Sequence, residues 1–115
     1  EERALRAFRP IVYICSPYSG DVEHNVKAAQ GYSRYAVDKG CIPLAPHLLF
    51  PQFLQEDNPK ERLLGLLFGN ALMSKCAEVW VFGSRITPGM ETEIKRARWK
   101  NYRLRYFTEE CEEVL

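Results

Sequence analysis

The stretch Pro88-Gly89-Met90-Glu91-Thr92-Glu93-Ile94-Lys95-Arg96-Ala97 has helical periodicity and one carboxylate on the wrong side of it. Apolar or small residues at Met90, Ile94 and Ala97 mark the face that lies on a core, while Glu91, Lys95, Arg96 and Arg98 point outward. Glu91 has Lys95 four residues on, the ordinary solvent-facing pair. Glu93 has Met90 and Ala97 as its helical neighbours and so belongs to the buried side. A carboxylate there must reach a partner, a cavity or water, because burial without a partner is costly or drives it to protonate. Placement in the first turn favours the ionised form. At the mouth of a ligand crevice such a group is a candidate nucleophile or base; the alternative is a structural Glu paired to a nearby Lys or Arg.

Other polar residues raise the same question. Asn70 interrupts an apolar stripe of Leu63, Leu66, Leu67 and Met73, where an amide needs hydrogen-bond partners in a ligand or in a loop backbone. Gly65 and Gly69 leave one strip of that helix bare, open to close approach by another helix, with intersubunit packing as one use. The loop Gly83-Ser84-Arg85-Ile86-Thr87-Pro88-Gly89-Met90 combines hydroxyls, glycine backbone and a helix N-terminus, which suits a small anion such as phosphate. It has neither the G-x-x-x-x-G-K-[ST] nor the G-x-G-x-x-G spacing. Ser16-Pro17-Tyr18-Ser19-Gly20, followed by Asp21, stands between an apolar run and a helical pattern; it either lines a ligand or turns a corner. His47 follows another apolar run and reads equally as a polar edge for a ligand or a capped loop histidine. With only His24 for company and no Cys or Asp cluster at ligand spacing, no metal site is expected.

Four strand-like runs must position these groups: Ile11 to Cys15, Cys41 to Leu44, Glu78 to Phe82 and Leu104 to Phe107. Three helical patterns lie between them. The first runs from about Glu23 to Lys39, with Asp21 as N-cap and Gly40 as stop. The second follows Asn58-Pro59 and continues to about Cys76, and the third starts at Pro88-Gly89 and ends near Asn101. Thr108 before Glu109 and Glu110 predicts a cap for a short last helix. Alternating strands and helices predict β-α-β units and a parallel sheet covered on both faces, an α/β/α three-layer domain over residues 1–115. Ligands bind such sheets at the carboxyl ends of the strands, where the loops at 16–20, 46–58 and 83–89 would meet.

Bulk properties exclude several classes. Sixteen Lys and Arg against 15 Asp and Glu leave a net charge of +1, with no global field for a nucleic acid polymer or an anionic membrane. Cys15, Cys41, Cys76 and Cys111 lie far apart and mostly in apolar runs, where a reduced thiol acts as a small hydrophobe in a cytoplasmic setting. No apolar run is long enough to span a membrane, and nothing at the start reads as a signal peptide. A start at Glu1 is read as removal or replacement of upstream residues.

The segments "VYICSPYSGD", "AVDKGCIPLAPHLLFPQFL", "SKCAEVWVFG" and "TPGMETEIKRA", in order across residues 12 to 97, resemble the nucleoside 2-deoxyribosyltransferase-like superfamily, and a small uncharacterised branch within it. The resemblance implies a flavodoxin-like fold with four to five parallel strands. It also implies cleavage or exchange of the N-glycosidic bond of a nucleoside or nucleoside 5′-monophosphate, with no metal or organic cofactor. It puts the nucleophile on Glu93, a first-strand tyrosine at Tyr13, and a 5′-phosphate or 5′-hydroxyl contact at Thr87 and Gly89, flanked by Gly83 and Met90. The Ser16, Pro17, Tyr18, Ser19, Gly20 loop with Asp21, and His47, would border sugar and base. Family enzymes carry an aspartate on the second helix where this chain offers Asn70, and an amide cannot donate a proton as an acid does. Acid assistance then falls to Asp21, His47 or Tyr13, or is missing. The other readings are a catalytically silent nucleotide-binding or sensing module and, in a different class, a flavin-bearing electron carrier. The apolar second helix and the resemblance both imply a homodimer or higher homo-oligomer.

Overall fold

Ile11–Cys15 (β1) and Glu78–Phe82 (β3) are almost wholly apolar and buried beyond their first residue, as strands covered on both faces must be. They lie side by side at the centre of a five-stranded sheet of order β2-β1-β3-β4-β5, in a computed structural model that describes residues Glu1–Leu115. β2 (Ile42–Leu44) and β4 (Leu104–Phe107) flank them in parallel. This is the flavodoxin-like order in a three-layer α/β/α arrangement. The fifth strand, β5 (Glu113–Val114), runs antiparallel to β4, a departure from the all-parallel expectation.

β5 also replaces the expected last helix. Thr108 does act as a local cap, its Oγ1 accepting from Glu110 N at 3.2 Å and Glu112 N at 3.1 Å. Cys111, however, takes the left-handed region at φ 63° and turns the chain back. Arg105 then clamps Glu113 through bonds of 2.6 and 2.8 Å, holding the returning strand against β4.

Alternation along β1 and β3 sorts the core into two layers. Val12, Ile14, Trp80 and Phe82 face α2 (Val22–Asp38), packing on Tyr32 and Ala36, with Phe82 stacked between Tyr32 and Phe107. Tyr13, Cys15, Val79 and Val81 face α4 (Pro59–Met73) and α5 (Pro88–Trp99), packing on Met73, Met90, Ile94 and Ala97. The expected buried face of α5 is therefore the observed one. Caps define the helix starts: Asp21 accepts from His24 N, Asn58 from Lys60 N and Glu61 N, and Thr87 from Met90 N. Glycine at position 40, φ +81°, lets the chain leave α2. The chain forms two further short helices that the periodicity did not indicate, α1 (Glu2–Leu5) and α3 (Pro46–Leu49), the latter running into a 3₁₀ turn at Phe50–Gln52.

The second helix differs most from expectation. It stops at Met73 rather than near Cys76, because Ser74 and Lys75 already turn the chain toward β3. Its stripe is not buried: Leu63 is 53 %, Leu66 40 % and Leu67 51 % exposed, and Met73 alone of the four reaches the core. The glycine strip is occupied within the chain, since a Cβ on Gly65 would stand 3.6 Å from Leu54 and one on Gly69 3.2 Å from the Tyr13 hydroxyl. The 50–54 segment folds back over α4, with Phe50 packed on Phe68. No helix is long and apolar enough to cross a membrane.

Candidate active site

β1 connects outward to β2 on one side and has β3 on the other, so the carboxyl ends of β1 and β3 are the topological switch point of the sheet, the edge at which such folds hold ligands. Tyr13 and Cys15, two residues apart on β1, project to the same face and toward α5. There they meet Glu93. The Tyr13 hydroxyl donates to Glu93 Oε2, and Cys15 Sγ lies 3.3 Å from Glu93 Oε1 and 3.9 Å from the Met90 carbonyl. Glu93 is half-buried and in the second turn of α5, not the first, so the helix dipole does little for it. Its charge is supported by two side-chain donors instead.

Electrostatics assign the protons. Burial raises the Tyr13 hydroxyl well above its usual range, and the neighbouring Glu93 charge adds to this. Burial followed by the same charge raises the Cys15 thiol. Both groups therefore stay protonated and act as donors. Burial raises Glu93 above the ordinary carboxylate value, and the hydrogen bonds from Tyr13 and then Cys15 pull it back. The result is an ionisable carboxylate whose lone pairs no Lys or Arg neutralises, an arrangement chemically suited to a base or a nucleophile.

The loop after β1 is built to hold shape. Ser16 is buried, and its Oγ and His47 Nε2 share a hydrogen bond of 2.9 Å that ties the loop to α3. Burial lowers His47 to about 4, so the ring is neutral at ordinary pH and is a hydrogen-bonding edge rather than an acid. Asn25, buried on α2, donates from Nδ2 to the carbonyls of Tyr18 and Ser19 at 3.0 Å each. Pro17 and Tyr18 are half-buried, whereas Ser19, Gly20 and Asp21 are exposed. Gly20, φ +98°, makes the turn that a side chain would strain, and Asp21 is committed to capping α2. Arg85 reaches across from the loop after β3, with Nη1 4.0 Å from where a Gly20 Cβ would stand.

In that second loop, the residues expected near an anion divide. Thr87 is buried and its oxygen accepts from Met90 N, so its acceptor role belongs to the helix cap. Pro88 has no N–H, and the Met90 and Glu91 amides go to Thr87, which leaves the exposed Gly89 N–H pointing out of the first turn. Gly83, φ +96°, is turned toward Glu109, whose carboxylate accepts from Ser84 N and Ser84 Oγ at 3.2 and 3.1 Å. Gly83 thus joins the end of β3 to the β4–β5 turn. Asn70 is half-buried on α4, next to the Gly69 that abuts Tyr13.

Tyr13 and Glu93 are thus brought together, as are Ser16 and His47, while Gly83, Thr87 and Asp21 have structural partners of their own. Cys15, Asn25 and Gly69 touch these residues and are ones that the sequence reading did not name among them. For Asn25 the signal was present: Asn25, Ala29, Tyr32 and Ala36 form one helical stripe with a single polar member, the same anomaly that singled out Glu93. No group of three or more His, Cys, Asp or Glu side chains could hold a metal ion.

The model of a family described as a domain of unknown function, DUF7768, matches residues 10–107. The fold matches a solved 2-deoxyribosyltransferase from the psychrotolerant bacterium Bacillus psychrosaccharolyticus, described as a biocatalyst for nucleoside synthesis. The TM-score is 0.71 and the identity 12 %, over 85 % of this chain and 72 % of that one. No curated protein sequence matches.

Proposed function

The chain belongs to the DUF7768 family, and from that premise we propose that it acts on the N-glycosidic bond of a nucleoside or nucleoside 5′-monophosphate as a single nucleoside 2-deoxyribosyltransferase-like domain. The observation that carries this reading is the hydrogen bond between Tyr13 on the central strand β1 and Glu93 on α5, a carboxylate with two donors and no cation beside it. Glu93 attacks C1′ as the C1′–N bond breaks through an oxocarbenium-like transition state, and the base departs with the bond's electron pair. Water or a second base then resolves the glycosyl-enzyme. Tyr13 holds the attacking carboxylate in place, and Asn70 orients the sugar. The loop Ser16 to Gly20, pinned by Asn25 and His47, borders sugar and base. The Gly89 N–H at the start of α5 meets the 5′ substituent. Nothing in the reaction requires a metal or organic cofactor.

The fold match to a 2-deoxyribosyltransferase supports the nucleoside class of substrate. The working form is a homo-oligomer that covers the exposed leucines of α4. A second reading, a silent nucleotide-binding module, is favoured by Asn70, an amide where an acid would assist the leaving base. Incubation with a panel of nucleosides and 5′-monophosphates, followed by chromatography for free base, separates the two. Release of any base supports the enzyme; saturable binding without release supports the module.

A further inference from the structure

β1 presents two donors to α5, and the steps of the reaction assign a task of its own only to the first, Tyr13. We propose that Cys15 is a positioning residue for Glu93: its thiol and the Tyr13 hydroxyl each hold a different oxygen of the same carboxylate and so fix the plane in which it attacks. The proposal rests on the reading of Glu93 as the nucleophile. Its geometry is specific. Tyr13 and Cys15 are i and i+2 on a buried strand, which puts them on one face about two residue rises apart, roughly 6.6 Å along β1. Glu93 lies across that interval, with Oε2 on the hydroxyl and Oε1 3.3 Å from the sulfur. Tyr13 alone would leave the carboxylate free to rotate about its Cγ–Cδ bond. A second donor on the other oxygen removes that freedom before substrate binds.

The alternative role for a buried cysteine is to fill space as a small hydrophobe. Alanine would fill most of that space, and it would leave Oε1 without a donor. A thiol is a weak donor and a poor base. It therefore steadies the carboxylate while taking less of its nucleophilicity than a hydroxyl would. Because burial and the Glu93 charge keep the thiol protonated, Cys15 itself forms no bond to substrate.

The experiment follows the titration of Glu93 by ¹³C NMR in protein labelled at the glutamate side-chain carboxyl, with Glu93→Gln assigning the signal. It needs no substrate and is readable whether or not the protein releases base. Cys15→Ala is expected to raise the Glu93 midpoint, because a donor to the charged form is lost. Cys15→Ser is expected to bring it back to the parent value or below. A midpoint that neither substitution moves, or that Cys15→Ala lowers, overturns the proposal. If the alanine variant does not fold, Cys15→Val takes its place: it fills the strand position without a donor and is likewise expected to raise the midpoint, and a midpoint left at the parent value overturns the proposal. In the base-release assay, Cys15→Ala should lower kcat about tenfold with KM little changed, the low end for a hydrogen bond to a charged group, and Cys15→Ser should restore it. An equal loss in both variants would assign Cys15 to packing.

Discussion

Gly69→Ala should separate stability from activity. In the interior of α4 the substitution removes backbone freedom from the unfolded chain and favours the helix by about 1 kcal/mol. Against this, the new Cβ would stand 3.2 Å from the Tyr13 hydroxyl oxygen, closer than side-chain carbons ordinarily come, so one of the two must give by a few tenths of an ångström. Tyr13 is 1 % exposed, with its ring packed in the layer under α4 and α5 and no route to solvent. The displacement therefore falls on its hydrogen bond to Glu93. Loss of a hydrogen bond to a charged group amounts to about 1.5–3 kcal/mol, or roughly a 10- to 150-fold fall in kcat if the bond is kept in the transition state. Urea unfolding should then find Gly69→Ala within about 1 kcal/mol of the parent, in either direction, while base release slows by at least an order of magnitude. A kcat within twofold of the parent in a folded Gly69→Ala protein would refute the reasoning that Gly69 makes room for the Tyr13–Glu93 bond.

Glu93→Gln should raise the melting temperature at pH 7. A carboxyl whose folded pKa lies above its unfolded value binds its proton more tightly in the folded state, so stability falls as pH rises through the interval between the two and stays low above it. Glutamine abolishes that loss, and its advantage should vanish once pH drops below the ordinary carboxylate range; a gain that persists unchanged at pH 3 would point to packing instead. Activity of the parent should show the mirror image, falling as pH drops through the raised Glu93 value and the nucleophile is protonated. Self-association should depend on α4: light scattering at micromolar concentration is expected to give at least a dimer, and Leu67→Arg, at a site 51 % exposed, should shift it to monomer without loss of helix content. A monomeric parent would remove the oligomer from the account.

Local periodicity was enough to find the sheet-facing side of α5 and the odd position of Glu93, because Met90, Ile94 and Ala97 repeat at helical spacing and nothing long-range alters that face. The parallel core was legible for the same reason, in two apolar runs too continuous to be half-exposed strands. What the sequence left hidden depends on contacts far apart along the chain. The partners of Glu93 lie some eighty residues away on β1, and the alternation that puts Cys15 beside Tyr13 becomes meaningful only once α5 is docked on that face. Gly69 looked like a surface for another subunit because its neighbour, a tyrosine hydroxyl from the sheet, cannot be read from α4. The leucines of α4 are a case of another kind: an apolar stripe states that burial is needed, and does not state whether the chain itself or a second copy provides it. In place of the last helix, Cys111 takes a left-handed backbone and turns the chain back, and the pairing of β5 with β4 that follows is a contact that Thr108, Glu109 and Glu110 do not announce.

The central claim is that Glu93 forms a bond to the sugar. A 2-deoxy-2-fluoro nucleoside slows the breakdown of a glycosyl-enzyme more than its formation, because fluorine disfavours the oxocarbenium-like transition state and good leaving bases still depart. Intact-mass and peptide analysis after incubation with a panel of such analogues should find one fluorosugar added, on the peptide that carries Glu93, with none on Glu93→Gln and an undiminished adduct on Glu91→Gln. An adduct on another residue, or turnover of natural nucleosides that continues in Glu93→Gln, would contradict the account.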